Sequence, residues 1–158
     1  PMRTLKNPHF LLFVALLLGI FLLPLKVALF RVEGRSMEPT LRKGEVVVAL
    51  RNAPIGPSSL VVFFDPRGGE ERKLVKRVAA RDGEPLLRTP EGSLLPAGSL
   101  YEQGARGLLR VPRGCLFVEG DNPGFSDDSR RGWLVPRPLV VGTVKAVLFP
   151  LSRFRLIP

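Results

Sequence analysis

Ser36, in the stretch Gly34-Arg35-Ser36-Met37-Glu38-Pro39-Thr40, is one of eight serines and stands just beyond a long apolar run. A serine hydroxyl becomes a useful nucleophile only when a neighbouring group takes its proton. Histidine, the usual base, occurs once, as His9, on the far side of the apolar run. That position excludes a Ser-His-Asp triad built on Ser36 and a Cys-His pair built on Cys115. Paired carboxylates are conceivable among five Asp and nine Glu, but no repeated acidic pattern supports them. One cysteine and one histidine also leave no internal disulfide and no zinc site of the usual kind, so neither a metal nor a cofactor is expected.

The remaining solution pairs serine with a lysine whose pKa is brought down from about 10.4 by desolvation. Lysine is scarce, six against eighteen arginines. Lys26 ends the apolar run, Lys43 lies in the polar turn "LRKGE", and Lys73 follows "GGEER"; all three read as solvated. Lys76, in "KLVKRVAA", and Lys145, in "GTVKAVLF", lie in apolar strand-like segments whose alternation can turn an amine inward. On these grounds either Lys76 or Lys145 is the base.

Such a pair needs a rigid platform. Five short runs rich in β-branched and aromatic residues read as strands: 45–50, 60–64, 74–80, 115–120 and 139–149. Turn signals such as "NAPIGPSS", "RDGEP" and "DNPG" separate them. No window after the apolar run carries a helical stripe. The expected body, residues 31–158, is therefore mainly β and mostly antiparallel, with a glycine- and proline-rich hairpin or flap inserted at about 84–114.

The apolar run itself, uncharged from Phe10 to Leu25, is short of a bilayer core of about 30 Å as a helix. Continued through "KVALF" to Phe30 it reaches that thickness, with Lys26 snorkelling and Pro24 ending or kinking the helix. A cleaved secretory signal fits less well, because no Ala-x-Ala follows. Residues 1–30 are read as a single-pass membrane anchor, transmembrane over about 10–30. Basic residues flank both ends, so charge does not set its orientation. The net charge of +10 would suit nucleic acid or anionic lipid. The basic residues are spread out, without a basic run or an aromatic nucleic-acid pattern, so lipid is the expected partner and nucleic acid is not.

Taken together, "EGRSMEPTL", "LVKRVAARDGE" and "GDNPGFSDDSR", in that order behind an apolar segment, resemble the type I signal peptidases, membrane-bound leader peptidases of Ser/Lys type. The family pattern falls on Ser36, Met37, Pro39 and Thr40, then on Lys76, Arg77 and Val78. Its third part falls on Gly120, Asp121, Asn122, Ser126, Asp128, Ser129 and Arg130. The resemblance covers essentially the whole chain and selects Lys76 over Lys145. It implies an antiparallel β fold shared with LexA-like self-cleaving repressors. It further implies Ser36 as nucleophile, Lys76 as general base and Ser126 as the group orienting the lysine. Asp121, Asn122, Asp128 and Arg130 would hold the loop, and the Ser36 N–H would form half of an oxyanion hole. Where some members carry a second serine to complete that hole, this chain has Gly34.

The implied function is removal of N-terminal signal peptides with small residues at −1 and −3. The location would be a bacterial cytoplasmic membrane, N-terminus in the cytosol and catalytic body on the trans side. A maturation peptidase with a dedicated substrate, or a non-enzymatic basic binding module on the membrane, is the alternative. Met37 reads as a hydrophobe, Cys115 as a small buried one, Asp127 as solvated, and Trp133 as either core or interfacial.

Overall fold

The computed structural model describes residues 8–68, 72–98 and 106–158. Among the described residues the α-helix α1 (Pro8–Lys26) comes first. It leads into strand β1 (Val27–Arg31), followed by β2 (Val46–Leu50), β3 (Leu60–Phe64) and β4 (Lys73–Arg81). Next come β5 (Pro85–Arg88), β6 (Leu94–Pro96), β7 (Arg106–Arg110), β8 (Cys115–Glu119), β9 (Val135–Pro136), β10 (Val140–Phe149) and β11 (Arg155–Leu156). The main sheet runs β1-β2-β10-β3-β4-β8-β9, with β11 beside β10; β6-β5-β7 form a second sheet. Every pairing is antiparallel.

All five strand-like segments form strands, because each offers a β-branched row to a buried face. Leu60, Val61, Val62 and Phe63 are buried on both faces, the pattern of a central strand. One core cluster lies under the start of the sheet and includes Val32, Met37, Leu41, Val47 and Val144. A second, with Val61, Phe63, Val78 and Val118, lies under its middle. Phe117 and Ala80 of the main sheet pack with Leu86 and Leu94 of the small one. The small sheet lies in the segment expected as a flap, of which 99–105 is outside the described residues.

The expected helix to Phe30 is corrected. The helix ends at Lys26, two residues beyond Pro24, and Val27–Arg31 pairs residue for residue with β2. A strand as apolar as β2 cannot leave its edge groups unpaired, and Val27, Leu29 and Phe30 suit a pleated partner. The 19-residue helix is therefore about 28 Å long, and among the described residues no helix is long and apolar enough to cross a membrane. Its described side chains from Phe10 to Ile20 are nonetheless apolar and exposed, Leu12 at 69% and Leu16 at 61%. Residues 1–7 of the expected anchor lie outside the described residues.

Candidate active site

Ser36 begins the turn that follows β1. The turn is riveted to the core on both sides of the serine. Val32 is buried, its N–H donates to the Glu45 carbonyl, and its carbonyl accepts from Gly44 N–H. Met37 and Leu41 are buried in the first core cluster, and Leu41 N–H donates to the Met37 carbonyl. Met37 is thus a core residue whose burial holds its neighbour, Ser36, half-exposed at the surface of the turn. The Ser36 N–H donates to no partner among the described residues.

Lys76 lies on β4 opposite Val61 of β3. The period-two alternation of β4 turns it inward, to 3% exposure. Burial pushes its amine down to about 8; the Asp128 charge opposes this and Arg130 adds to it, both less strongly. Nζ donates to Ser126 Oγ at 2.9 Å, and Ser126 Oγ in turn donates to Asp128 Oδ2 at 2.5 Å. Among the described residues no hydrogen bond joins Nζ to Ser36 Oγ; the two residues line one cleft of about 620 Å³.

The segment 120–130 ties these parts together. Asp128 is 1% exposed and caps the short turn Ser129–Arg131. It accepts from Gly120 N–H at 2.8 Å and from Arg130 Nε and Nη2 at 2.8 and 2.5 Å. Burial alone would raise its pKa, but the Arg130 guanidinium, the Gly120 N–H and Ser126 hold it below the usual carboxylate range. Ser129 Oγ accepts from Val118 N–H, fixing the turn to β8. Asn122 reaches across to the Ser36 turn, its N–H donating to the Ser36 carbonyl at 2.9 Å and its Nδ2 to the Arg35 carbonyl at 3.1 Å. Asp121 takes a two-pronged bond from Arg77, the residue after Lys76, at 2.8 and 2.6 Å. Gly120 is the crossing point. A Cβ there would lie 2.6 Å from both Ser126 Cβ and the Ser36 carbonyl oxygen, which only glycine avoids.

The structure thus brings together Ser36, Lys76, Ser126, Asp121, Asn122, Asp128 and Arg130. Lys145 is apart from them, half-buried on β10 and outside the cleft lining. His9 is exposed in the first turn of α1. Among the described residues no group of three or more His, Cys, Asp or Glu could hold a metal ion.

The sequence pattern of the family described as signal peptidase, peptidase S26, matches residues 5–103. The chain is 31% identical to mitochondrial inner membrane protease subunit 2 of Mus musculus, over 90% of this chain and 79% of that protein. It is 31% identical to signal peptidase I of Bacillus caldolyticus, over 78% of this chain and 80% of that one. Signal peptidase I T of Bacillus subtilis is 28% identical, over 90% and 84%. The chain belongs to the S26 family of signal peptidases.

Within this signal peptidase, Gly34 lines the cleft and a Cβ built on it meets no heavy atom within 4 Å. Space for a side chain is therefore present although the chain has none. Two clusters escaped the sequence reading. Glu45, 2% exposed, accepts from Arg42 N–H and pairs with Arg153, with Arg155 nearby; Arg155 also donates to the Thr40 carbonyl. The C-terminal strand is thereby clamped to the turn that carries Ser36. Burial works to raise the Glu45 pKa, yet the Arg42 N–H and the Arg153 guanidinium leave it lowered. In the second cluster, Arg67 bridges Asp65 and Asp127 and stacks on Trp133. Trp133 is half-buried against Phe63, with ring centroids 6.3 Å apart, and Cys115 is likewise half-buried. The Arg67–Asp127 and Glu45–Arg153 partners are 60 and 108 residues apart, and no sequence signal linked them.

Proposed function

We propose that this signal peptidase is a serine endopeptidase that removes N-terminal signal peptides with a Ser36/Lys76 dyad. The observation that carries the reading is a lysine buried to 3% exposure, with its amine brought down to about 8, in the cleft that Ser36 lines. Ser126 gives its own proton to Asp128, so toward Lys76 it can only accept. A neutral Lys76 amine that donates to Ser126 keeps its lone pair for another direction, and the open one is the cleft. Lys76 then takes the Ser36 Oγ proton as the hydroxyl oxygen attacks the scissile carbonyl. The same proton passes to the departing amine, and a water deprotonated by Lys76 releases the acyl group from Ser36. The unpartnered Ser36 N–H supplies one donor for the developing oxyanion. Asp121, Asn122, Asp128 and Arg130 hold the nucleophile turn, the lysine and Ser126 in one frame.

The substrate binds extended. β8 pairs with β4 only along Arg77–Arg81, so Lys73–Lys76 keep one free edge that a peptide can join as a strand. The cleft beside that edge, lined by Leu74 and Val75, would take the small residues at −1 and −3. Lipid is the second partner. The exposed apolar side chains of α1, and Phe149, Leu151, Phe154 and Leu156 of the C-terminal end, seat the enzyme at a membrane, with the catalytic body on the trans side. Relatives named as mitochondrial inner membrane protease subunits support a second reading of the same chemistry, a maturation peptidase with a dedicated substrate.

Purified protein with a preprotein and with a peptide carrying Ala-x-Ala tests the reading. Ser36→Ala and Lys76→Ala are each expected to abolish cleavage while the fold persists. Full activity in Lys76→Ala would remove the dyad, and binding to anionic vesicles with no cleavage by the wild type would leave a binding module.

A further inference from the structure

Arg67 lies in the turn after β3, sixty residues from its partner Asp127. The buried Asp65 carboxylate fixes its base: Oδ1 accepts Arg67 N–H at 3.0 Å and Nε at 3.2 Å, and Oδ2 accepts Nη2 at 3.3 Å. The far end donates from Nη1 to Asp127 Oδ2 at 2.5 Å. The guanidinium lies over the Trp133 ring at 4.4 Å, and Trp133 Nε1 donates to Asp127 Oδ1 at 3.4 Å. Arg67, Asp127 and Trp133 thus close a ring, and Asp65 anchors its arginine from outside. Asp127 stands between Ser126, which bonds the Lys76 amine, and Asp128, which bonds Ser126, and Asp127 and Arg67 both line the cleft with Lys76.

An anion at that place favours an ammonium over the neutral amine. The charges acting on Lys76 are Asp128 and Asp127, which favour its protonated form, and Arg130 and Arg67, which oppose it. Asp121, paired with Arg77, also senses it. β3 contributes no ionisable side chain along Leu60–Phe64, and β8 contributes Cys115 and Glu119.

We propose that Arg67 is a positioning residue for the reaction: held by Asp65, it fixes the loop that carries Ser126 and neutralises Asp127, so that this carboxylate does not hold a proton on Lys76. The inference rests on Lys76 being the base. Loss of Arg67 acts twice in one direction, removing a cation and unmasking an anion. Arg131, 3.7 Å from Asp127, limits the effect. Arg67 and Asp127 are 38% and 49% exposed, so the coupling is that of screened charges, a few tenths of a pH unit and below about 0.7.

The test is the pH dependence of kcat/KM on an Ala-x-Ala peptide, in low salt and in 1 M salt. Arg67→Gln is expected to move the acid limb upward by about 0.3–0.7 units, with a smaller move in 1 M salt. Arg67→Gln/Asp127→Asn is expected to bring it back, and Arg67→Lys to rescue it. Thermal unfolding reports whether the fold holds. An Arg67→Gln loss equal at every pH, or a double variant shifted as far as the single one, overturns the proposal. Cleavage retained by Ser36→Ala would instead overturn the dyad on which it rests.

Discussion

Lys76→Met should make the protein inactive and, at neutral pH, more stable. The amine titrates near 8 in the folded protein against 10.5 when unperturbed. A folded-state pKa below the unfolded value means that the unfolded chain binds more protons between those two pH values, so stability rises with pH across that window. Below about 8 the folded state carries the full cost of a buried ammonium. The difference of roughly 2.5 units corresponds to about 3 kcal/mol at pH 7, about 2 at pH 9 and under 1 at pH 10. Methionine keeps the aliphatic bulk but loses the bond to Ser126, worth about 1 kcal/mol. Ser126 still donates to Asp128. The net expectation is about 2 kcal/mol gained at pH 7, which is roughly 4–8 °C in melting temperature for a chain this size, fading to nothing or a slight loss by pH 10. Thermal unfolding of wild type and variant at pH 7, 9 and 10 measures it. The companion expectation is that wild-type kcat/KM rises about tenfold per pH unit below 8 and levels above it. A variant less stable than wild type at pH 7, or a gain that does not change with pH, would refute the argument that burial of this amine is the strained feature of the site.

Glu45→Gln removes the buried anion between Arg153 and Arg155 and should cost about 2–4 kcal/mol at pH 7 by urea unfolding. Because the Glu45 pKa is depressed, that contribution is present above its ordinary 4.5 and is lost as pH falls through the lower folded value; the two proteins should converge in acid. Gly120→Ala drives a methyl into the Ser36 carbonyl and Ser126, so cleavage should fall at least about 100-fold, with the loss read in kcat. Gly34→Ser meets open space and should leave the melting temperature unchanged while raising kcat, as the hydroxyl adds a donor at the oxyanion; a fall in kcat would show that the glycine itself is used there.

The central strands were legible because a short unbroken run of β-branched and aromatic residues between turn signals reads as a buried strand: Leu60–Phe64 and Val46–Leu50 are such runs and lie within the sheet. Val27–Arg31 did not. Its apolar residues suit a helix in lipid and a strand alike, and the choice went to β2, whose edge lacked a partner. β9 and β11 are two-residue pairings, too short to leave a periodic trace.

Sequence by itself determined the chemistry available: a serine without a usable histidine, few lysines, and three segments whose order matches a family. It could not separate Lys76 from Lys145 on burial, because both sit in apolar strands. Tertiary structure decided that point physically. β4 places Lys76 at the cleft that Ser36 lines, where lost solvation lowers the amine and Ser126 and Asp128 fix its hydrogen bonding. Lys145 lies on another strand, apart from that cleft. The Arg67–Asp127 bridge and the Glu45 clamp were likewise decided only by folding, since a charge pair becomes an interaction when the chain returns to it, and no local pattern records that return.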